Sequence, residues 1–400
     1  MFIIEKQFSC KEAAMTMVDN NMLSFYQNHA VAPVRQNIAD LDEHFARRRV
    51  LYQQLGIGAG SFTGRRVLEI GPGTGQNALF VAAQGPLQLV LVEPNPTGVM
   101  EIKASFAPYP ALSKALVVEN VPIEQYSVDG DLFDFVLCEG LVGASGHQDP
   151  AALIQTIARH TRIDGTLVLT CIEYVAYLSE MLRRLLGLEI TGHIQDINQR
   201  TAALLPVFSP HLQSLSGMNR RFDDWIIDNL INPASIGNLV SFEYCVREIG
   251  DNFDVLSTSP RFITDWAWYK KAAQDIHFFN RVSLESYWQN LHNFMDYRSV
   301  SRPRSEADNR LLSSRCEEIH HHICEYEGSR DSSVRAWITT NIRVLQEEVS
   351  GDLPMVAAAL DEVAGWLSAP SIDVRTVEKS EKFGTWFGRA ATYLSFIRRK

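Results

Sequence analysis

Apolar residues follow two different periods along this chain. From about residue 61 to 175, short apolar runs alternate with segments whose apolar residues recur at helical spacing. The runs predict strands at 67–70, 89–92, 115–118, 133–137 and 166–172, with later ones at 253–256 and 391–397. Because strands that alternate with helices form parallel sheets, the pattern predicts an α/β fold.

Helical periodicity dominates the remainder and suggests how the chain is divided. We expect an N-terminal helical segment, a sheet-forming core, a helical cap, and a helical insertion before the last strand. The bounds are 1–60 for the N-terminal segment, 61–175 for the core, 176–250 for the cap, 263–382 for the insertion, and 251–262 with 383–400 for the strands that close the sheet.

A glycine-rich segment directly follows the first predicted strand. Gly71, Gly73 and Gly75 stand at alternate positions, and Glu69 lies within the strand before them. Glycines let the backbone turn sharply and let a ligand approach without a Cβ in the way. A helical run at 77–83 follows, and the N–H groups at a helix start favour an anionic group. The segment is therefore a candidate binding loop.

An acidic residue, Glu93, ends the second predicted strand, where it is placed to accept hydrogen bonds from a ribose diol. The nicotinamide-cofactor pattern requires glycine or alanine where this chain has Gln76. The stretch 67–75, together with Glu93 at its spacing, instead resembles the signatures of the class I, Rossmann-like methyltransferases that depend on S-adenosylmethionine (SAM).

This resemblance implies a Rossmann-like methyltransferase sheet, closed by an antiparallel strand at 391–397, and SAM as cofactor. It implies that the three glycines line the methionine moiety, that Glu93 holds both ribose hydroxyls, and that Glu69 orients the loop and the SAM amino group. Asn120 suits the adenine amino group, and the N-terminal helices become a lid over SAM. Further SAM contacts are expected from the loop, the fourth strand tip and the lid: Pro72, Gln76, Glu139, Gly140 and Tyr26.

Three residues beyond the later strands are candidates for the chemical step. His147 lies in the loop after the fourth strand, where a histidine can act as a base. Glu173 and Tyr174 follow the fifth strand, whose tip faces the sulfonium in the resembling family. An aromatic face beside a cation stabilises it, so Tyr174 is the most informative candidate.

The acceptor is expected to be a small molecule in secondary metabolism. The chain lacks the Asn-Pro-Pro-Tyr tetrapeptide of nucleic-acid and protein-amide methylases and has Cys-Glu-Gly-Leu at 138–141 instead. The formal net charge of −10 also argues against a nucleic-acid partner, which needs a basic surface.

Two other activities stay open. The chain resembles, loosely, the SAM cyclases of natural-product pathways, in which the amine of SAM attacks its own γ-carbon. Such an enzyme releases methylthioadenosine and forms azetidine-2-carboxylate without a second substrate. A non-catalytic SAM-binding protein is the third alternative. The sequence also leaves the oligomeric state open.

Composition indicates a cytoplasmic globular protein. Hydrophobic residues are 46% and charged residues 21% of the chain, and no apolar run approaches the roughly 18 residues of a membrane span. The N-terminus meets charge at Glu5, too early for a signal peptide. The six cysteines show no framework spacing, so reduced thiols are expected.

Three clusters outside the core have plain structural interpretations. The aromatic-rich stretch 262–297 is expected to pack the insertion on the core, or else to roof the site. Cys316, His320 and Cys324 share one helix face, but a fourth metal ligand is missing at a usual spacing, so no metal is expected. The basic cluster 46–49 is expected on a solvated helix face.

Overall fold

The computed structural model describes residues 22–128, 130–143, 149–233 and 237–400. The strands are β1 (Arg66–Ile70), β2 (Gln88–Val92), β3 (Leu116–Glu119), β4 (Phe133–Cys138), β5 (Thr161–Ile172), β6 (Phe253–Ser259) and β7 (Ala391–Arg398). They form one sheet in the order β3-β2-β1-β4-β5-β7-β6, in which β7 runs antiparallel to both neighbours and the other pairs are parallel. The predicted α/β, Rossmann-like sheet with an antiparallel closing strand is confirmed.

The central strands are mainly apolar because both faces of the sheet are covered. Leu68 and Ile70 of β1 belong to one apolar core, whereas Val67 belongs to the other. In β5, Leu167 and Val168 divide in the same way. Alternate side chains of a strand point to opposite faces, so a strand covered on both sides has no polar face.

The helices cover these two faces and extend beyond them. They are α1 (Met22–His29), α2 (Leu41–Gln54), α3 (Ala78–Ala82), α4 (Pro96–Phe106), α5 (Pro150–Ala158), α6 (Tyr174–Thr191), α7 (Ile197–Ser214), α8 (Phe222–Ile226), α9 (Phe242–Ile249), α10 (Tyr269–Ala272), α11 (Phe278–Asn290), α12 (Glu306–Ser329), α13 (Ser332–Val349), α14 (Pro354–Ser368) and α15 (Val374–Glu378). Helices α2, α3 and α4 pack on one face, and α5, α6 and α9 share the core of the other. The helical run predicted at 77–83, after the glycines, is shorter than expected, since α3 contains only five residues. Asn77 makes no side-chain capping bond.

Helix α6 joins the sheet to the later helices. It is buried along most of its length and packs against α12. Arg184 donates to both carboxylate oxygens of Glu327 in α12, at 2.7 and 2.8 Å. Arg183, which is fully buried, donates to the backbone carbonyls of Phe383 and Trp386 at 3.0 and 2.8 Å. These contacts fix the segment that leads into β7.

The aromatic stretch 262–297 does not behave as one unit. Its later members, Tyr287, Trp288 and Phe294, are buried in the core, as expected for a packing role. Trp266 and Trp268, however, are 94% and 60% exposed, so the expectation that the whole stretch packs inward is wrong.

The Cys/His cluster lies on α12, where Cys316 and His320 are buried in the protein interior. Cys316 is buried, and a ring nitrogen of His320 lies 3.0 Å from the carbonyl oxygen of Gly237. Among the described residues, no group of three His, Cys, Asp or Glu side chains is arranged to hold a metal ion. No described helix is both long and apolar enough to cross a membrane.

Candidate functional site

The glycine loop adopts a backbone that only glycine accepts easily. Gly71, Gly73 and Gly75 have φ angles of 67°, 59° and 71°, in the left-handed region. The N–H of Gly75 donates to the carbonyl oxygen of Pro72 at 3.0 Å, which closes the turn. A Cβ on Gly73 would also lie 2.5 Å from Cγ2 of Val34. The loop therefore requires glycine both for its conformation and for a close approach.

Glu93 ties the tip of β2 to this loop. Its Oε2 accepts the N–H of Gly73 and its Oε1 accepts the N–H of Asn95, both at 2.9 Å. The side chain is almost fully buried, and this burial raises the pKa of Glu93 to about 7, although the two N–H groups oppose the shift. The predicted ribose acceptor and the predicted methionine loop are thus one hydrogen-bonded unit.

Asn120 connects the next strand tip to the same unit. Its Nδ2 donates to the carbonyl oxygen of Glu93 at 2.8 Å, and the residue is exposed. The tips of β1, β2 and β3 therefore meet at the carboxyl edge of the sheet, where ligands bind in open α/β folds. The adenine contact expected of Asn120 stays a prediction.

A buried polar cluster lies between β1, β4 and α2. Arg48 of α2 donates to both oxygens of Glu139, with Nη1 to Oε2 at 2.8 Å and Nη2 to Oε1 at 2.5 Å. The hydroxyl of Tyr52 donates to the same Oε1 at 2.9 Å. The Glu139 carboxylate is thus engaged with α2 in this structure, and its predicted SAM contact stays untested.

Glu69 is the second acid of this cluster. It is 4% exposed, and its Oε2 has no hydrogen-bond partner among the described residues. Burial, reinforced by the charge of Glu139 and opposed by Arg48, raises the pKa of Glu69 to about 8. A buried carboxyl oxygen without a partner is costly, so it suggests a group that this structure does not contain. A bound ammonium group would favour the ionised form of this carboxyl group.

The N-terminal segment lies directly over the glycine loop. Asn95 Nδ2 donates to the carbonyl oxygen of Val31 at 3.0 Å, and the side chain of Gln76 accepts the N–H of Gln36. Tyr26, the predicted lid residue, donates its hydroxyl to Oδ1 of Asp228 at 2.6 Å. The segment is thereby held between the loop and the cap.

Two arginines strengthen the contacts of this segment with the core and the cap. Arg35 binds Glu101 of α4 and Asp224 of α8 at 3.0 and 3.2 Å. Arg220, which pairs with Asp228 inside the cap at 2.6 Å, donates its Nε to the carbonyl oxygen of Pro33 at 3.0 Å. Because these groups come from distant parts of the chain, they hold the segment across the mouth of the crevice.

The two predicted catalytic residues that the structure describes, Glu173 and Tyr174, make contacts outside the glycine loop. Both oxygens of Glu173 are used internally, since Oε1 accepts the N–H of Phe242 and Oε2 accepts the hydroxyl proton of Tyr287, each at 2.6 Å. These contacts account for the buried Glu173 without a catalytic role. His147 lies outside the described residues.

Tyr174 begins α6 beside the later helices. Its hydroxyl accepts the N–H of Leu239 at 3.3 Å, and its ring meets those of His320 and His321 edge-on, with centroids 5.1 and 5.8 Å apart. Burial raises the pKa of Tyr174 well above its usual range. Its part in the chemical step stays a prediction.

Sequence reasoning missed three groups of this site. Arg48 was placed with the solvated basic cluster, and Tyr52 and Thr170 were not singled out. Thr170 of β5 accepts the N–H of Gly140 at 2.6 Å and so links the tips of β4 and β5. The spacing of Arg48 and Tyr52 by four residues, on one helix face, was the available signal.

The fold and this site define a nucleotide-binding α/β domain with an acidic residue at the second strand tip. Residues 42–205, which are less than half of the chain, match the family model of a methyltransferase domain. Together with the sheet order and the glycine loop, the match identifies the core as a class I, Rossmann-like methyltransferase domain, for which SAM is the cofactor.

Solved structures of methyltransferases are similar at low identity. PKMT2 from Rickettsia typhi shows 12% identity and a TM-score of 0.41, over 59% of this chain and 49% of that chain. N-methyltransferase NodS from Bradyrhizobium japonicum WM9, in complex with S-adenosyl-L-homocysteine, shows 18% identity and a TM-score of 0.26, over 33% of this chain and 62% of that chain. The chain thus matches about half the length of the first of these. Among curated proteins, no sequence matches significantly.

Proposed function

We propose that the protein is a SAM-dependent methyltransferase that acts on a small molecule in secondary metabolism. The observation that carries the proposal is the hydrogen bond from the Gly73 N–H to Glu93 Oε2, at 2.9 Å. It joins the loop suited to the methionine moiety to the acid suited to the ribose. The methyltransferase-domain match over residues 42–205 supports the same activity.

The residues at the crevice fit SAM in charge and hydrogen bonding. A carboxylate oxygen accepts more than one hydrogen bond, so each Glu93 oxygen retains capacity for a ribose hydroxyl. The unpartnered Oε2 of Glu69 suits the α-ammonium group. When bound, SAM supplies a methyl group on a sulfonium, which is a good leaving group. Because SAM carries a net positive charge, its binding would lower the raised pKa of Glu69 and favour the complementary, ionised form.

The chain's own residues would orient the donor and exclude water. The loop glycines allow close approach of the backbone, and Glu93 fixes the ribose end. The segment at 31–36 covers the loop, since Val31 accepts a hydrogen bond from Asn95 and Gln36 donates one to Gln76, so it would keep solvent from the sulfonium. Positioning and water exclusion are the main demands of this reaction, since the leaving group is already activated.

A small-molecule acceptor is supported by the acidic chain and by the strand-tip sequence 138–141. Within that tip, Glu139 is held by Arg48 and Tyr52. The tip therefore presents a closed polar cluster, and a flipped base or an extended peptide would need an open, basic groove instead.

The proposal is tested by titrating the purified chain with SAM in a calorimeter and then incubating it with SAM and a panel of small amines, phenols and carboxylic acids. We expect saturable SAM binding, S-adenosylhomocysteine formation and a product heavier by one methylene group. Absence of SAM binding would overturn the proposal.

Incubation with SAM alone separates the alternatives. Methylthioadenosine together with azetidine-2-carboxylate would identify a SAM cyclase, because that reaction needs no acceptor. Tight SAM binding without turnover on any acceptor would favour a non-catalytic SAM-binding protein.

A further inference from the structure

Large apolar side chains are concentrated on the surface between β6 and α11. Within residues 266–279, Trp266 is 94% exposed, Tyr269 69%, Ile276 72% and Phe279 51%, and Trp268 is exposed as well. Single exposed apolar residues are ordinary, but five within one short segment indicate an interaction site. We call residues 266–279 the aromatic surface.

Two lysines of the aromatic surface are available to bind an anionic partner. Lys270 Nζ lies 4.8 Å from the ring centre of Trp268, and Lys271 follows it. Neither lysine forms an ion pair with a residue that the structure describes. The neighbouring acids are already engaged, since Asp265 accepts the N–H of Ala267 at 2.7 Å and Asp275 binds Arg281 at 3.2 Å. A chain of net charge −10 thus presents local positive charge beside its exposed aromatic rings.

This combination fits a lipid headgroup region better than a protein partner. Tryptophan and tyrosine rings with apolar bodies and polar tips favour the membrane–water interface, and lysines there extend their ammonium groups to the headgroups. Protein interfaces are, in contrast, depleted of lysine. Trp266 and Trp268 lie in an irregular stretch, Tyr269 begins the short helix α10, and Phe279 lies in the first turn of α11.

The aromatic surface begins at the sheet edge that carries the glycine loop and ends near the opposite edge. It follows β6, which runs parallel to β5 because both are antiparallel to β7. Just before it, Arg261 Nε donates to the carbonyl oxygen of Gln54 at the end of α2, at 2.8 Å. The last residues of the surface return to the amino end of β6, where Arg399 donates to the carbonyl oxygen of Ile276 at 2.6 Å and Asn280 Nδ2 donates to that of Phe253 at 2.8 Å. A bilayer that contacts this surface would therefore lie along the side of the sheet that ends in β6.

We propose that residues 266–279 dock the protein peripherally on an anionic lipid bilayer, with the aromatic rings at headgroup depth and Lys270 and Lys271 on the lipid phosphates and carboxylates. The inference concerns contact with the membrane surface and does not depend on the reaction catalysed.

The test uses the full chain and extruded vesicles of pure phosphatidylcholine or of phosphatidylcholine with phosphatidylserine. We expect co-sedimentation with the anionic vesicles, weaker binding to the neutral ones, and a blue shift of tryptophan emission on binding. Trp266→Ser/Trp268→Ser should lower the partition coefficient at least ten-fold on both. Lys270→Ala/Lys271→Ala should lower it on anionic vesicles alone, by about five-fold per lysine.

Leu87→Ser is the matched control. Its side chain is 69% exposed and precedes β2, which four strands separate from β6, so binding should be unchanged. Each variant is accepted only if its thermal midpoint matches the wild type. Lys270→Glu/Lys271→Glu replaces the tryptophan variant if that variant does not fold, and it should abolish binding to anionic vesicles.

Three results would overturn the assignment. The first is that the wild type binds neither kind of vesicle. The second is that the tryptophan variant or the lysine variant binds as well as the wild type. The third is that sedimentation velocity shows a concentration-dependent dimer of the wild type that the tryptophan variant does not form. The last result would make the aromatic surface a contact between two copies of the chain.

Discussion

Arg48 and Glu139 form a bidentate ion pair that joins helix α2 to the tip of β4, with both side chains less than a tenth exposed. Glu69 lies close enough for its titration to depend on both charges. Arg48 therefore pairs with Glu139 and only partly offsets the raised pKa of Glu69, the second buried acid beneath the candidate SAM site.

Arg48→Ala should strongly destabilise the fold. It leaves Glu139 buried without its cation, and breaking a buried pair in this way costs about 3–5 kcal/mol. The measurement is the free energy of unfolding in urea. Arg48→Met/Glu139→Gln removes both charges and should be far less damaging. Arg47→Ala is the surface control, because its pair with Glu43 in the same helix is partly exposed and such pairs contribute about 0.5 kcal/mol. Equal losses for Arg47→Ala and Arg48→Ala would contradict this assignment.

Glu93→Ala should lower SAM affinity at least ten-fold. The change removes the ribose acceptor and also frees the N–H groups of Gly73 and Asn95, each hydrogen bond to a charged group being worth about 1.5–3 kcal/mol. Calorimetric titration with SAM measures the effect. Glu124→Ala, an exposed acid after β3, should bind normally. Unchanged affinity in Glu93→Ala would remove Glu93 from the site.

Glu69→Gln should change how stability depends on pH. The pKa of Glu69 is raised to about 8 in the folded protein. Between the ordinary pKa of a glutamate and this raised value, the carboxyl group is therefore more often protonated in the folded chain than in the unfolded chain. The free energy of unfolding therefore falls as pH rises through this window, by at most about 1.4 kcal/mol per pH unit. Glutamine does not titrate, so the free energy of unfolding of the variant, relative to that of the wild type, should increase as the pH rises.

Urea unfolding of both proteins from about pH 5 to about pH 8 tests this. Glu93 and Glu173, whose pKa values burial raises to about 7, contribute in the same direction in both proteins and cancel in the difference. Glu43→Gln, at an exposed position, is the control. A difference between Glu69→Gln and wild type that does not vary with pH would contradict the argument.

Local sequence patterns were sufficient to predict the parallel strands of the sheet and the glycine loop. The strand at 67–70, the alternate glycines and Glu93 are adjacent in sequence, and their order alone indicated a binding loop at a strand tip. The antiparallel β7 was expected only through the family resemblance, since it pairs with β5 across more than two hundred residues.

Contacts between distant segments could not be predicted. Arg48 and Glu139 are 91 residues apart, and helical periodicity did not show that Arg48 faces the sheet while Arg47 faces solvent. Glu173 was expected in an open crevice, but Phe242 and Tyr287, from much later helices, enclose it. In each case a polar residue that looked accessible is covered by a part of the chain whose position the sequence does not indicate.

Tyr174→Phe distinguishes a catalytic hydroxyl from a structural one. Participation in the chemical step would lower kcat ten-fold or more, about 1.4 kcal/mol, with SAM affinity unchanged. The observed contacts lead us to expect the other result. The hydroxyl accepts the Leu239 N–H, and its raised pKa keeps it protonated, so it is unsuited to act as a base. The variant should therefore keep kcat and lose about 1 kcal/mol of stability, the typical value of one hydrogen bond.

Tyr177→Phe is the matched control, because Tyr177 lies one turn further along α6 and its hydroxyl donates to Asn229 at the same distance of 3.3 Å. Both variants should show similar losses in urea unfolding and wild-type turnover once an acceptor is found. A ten-fold loss of kcat in Tyr174→Phe alone, with Tyr177→Phe unaffected, would return the Tyr174 hydroxyl to the mechanism. The acceptor would then have to reach the junction of β5 and α12, because that is where the ring meets His320 and His321.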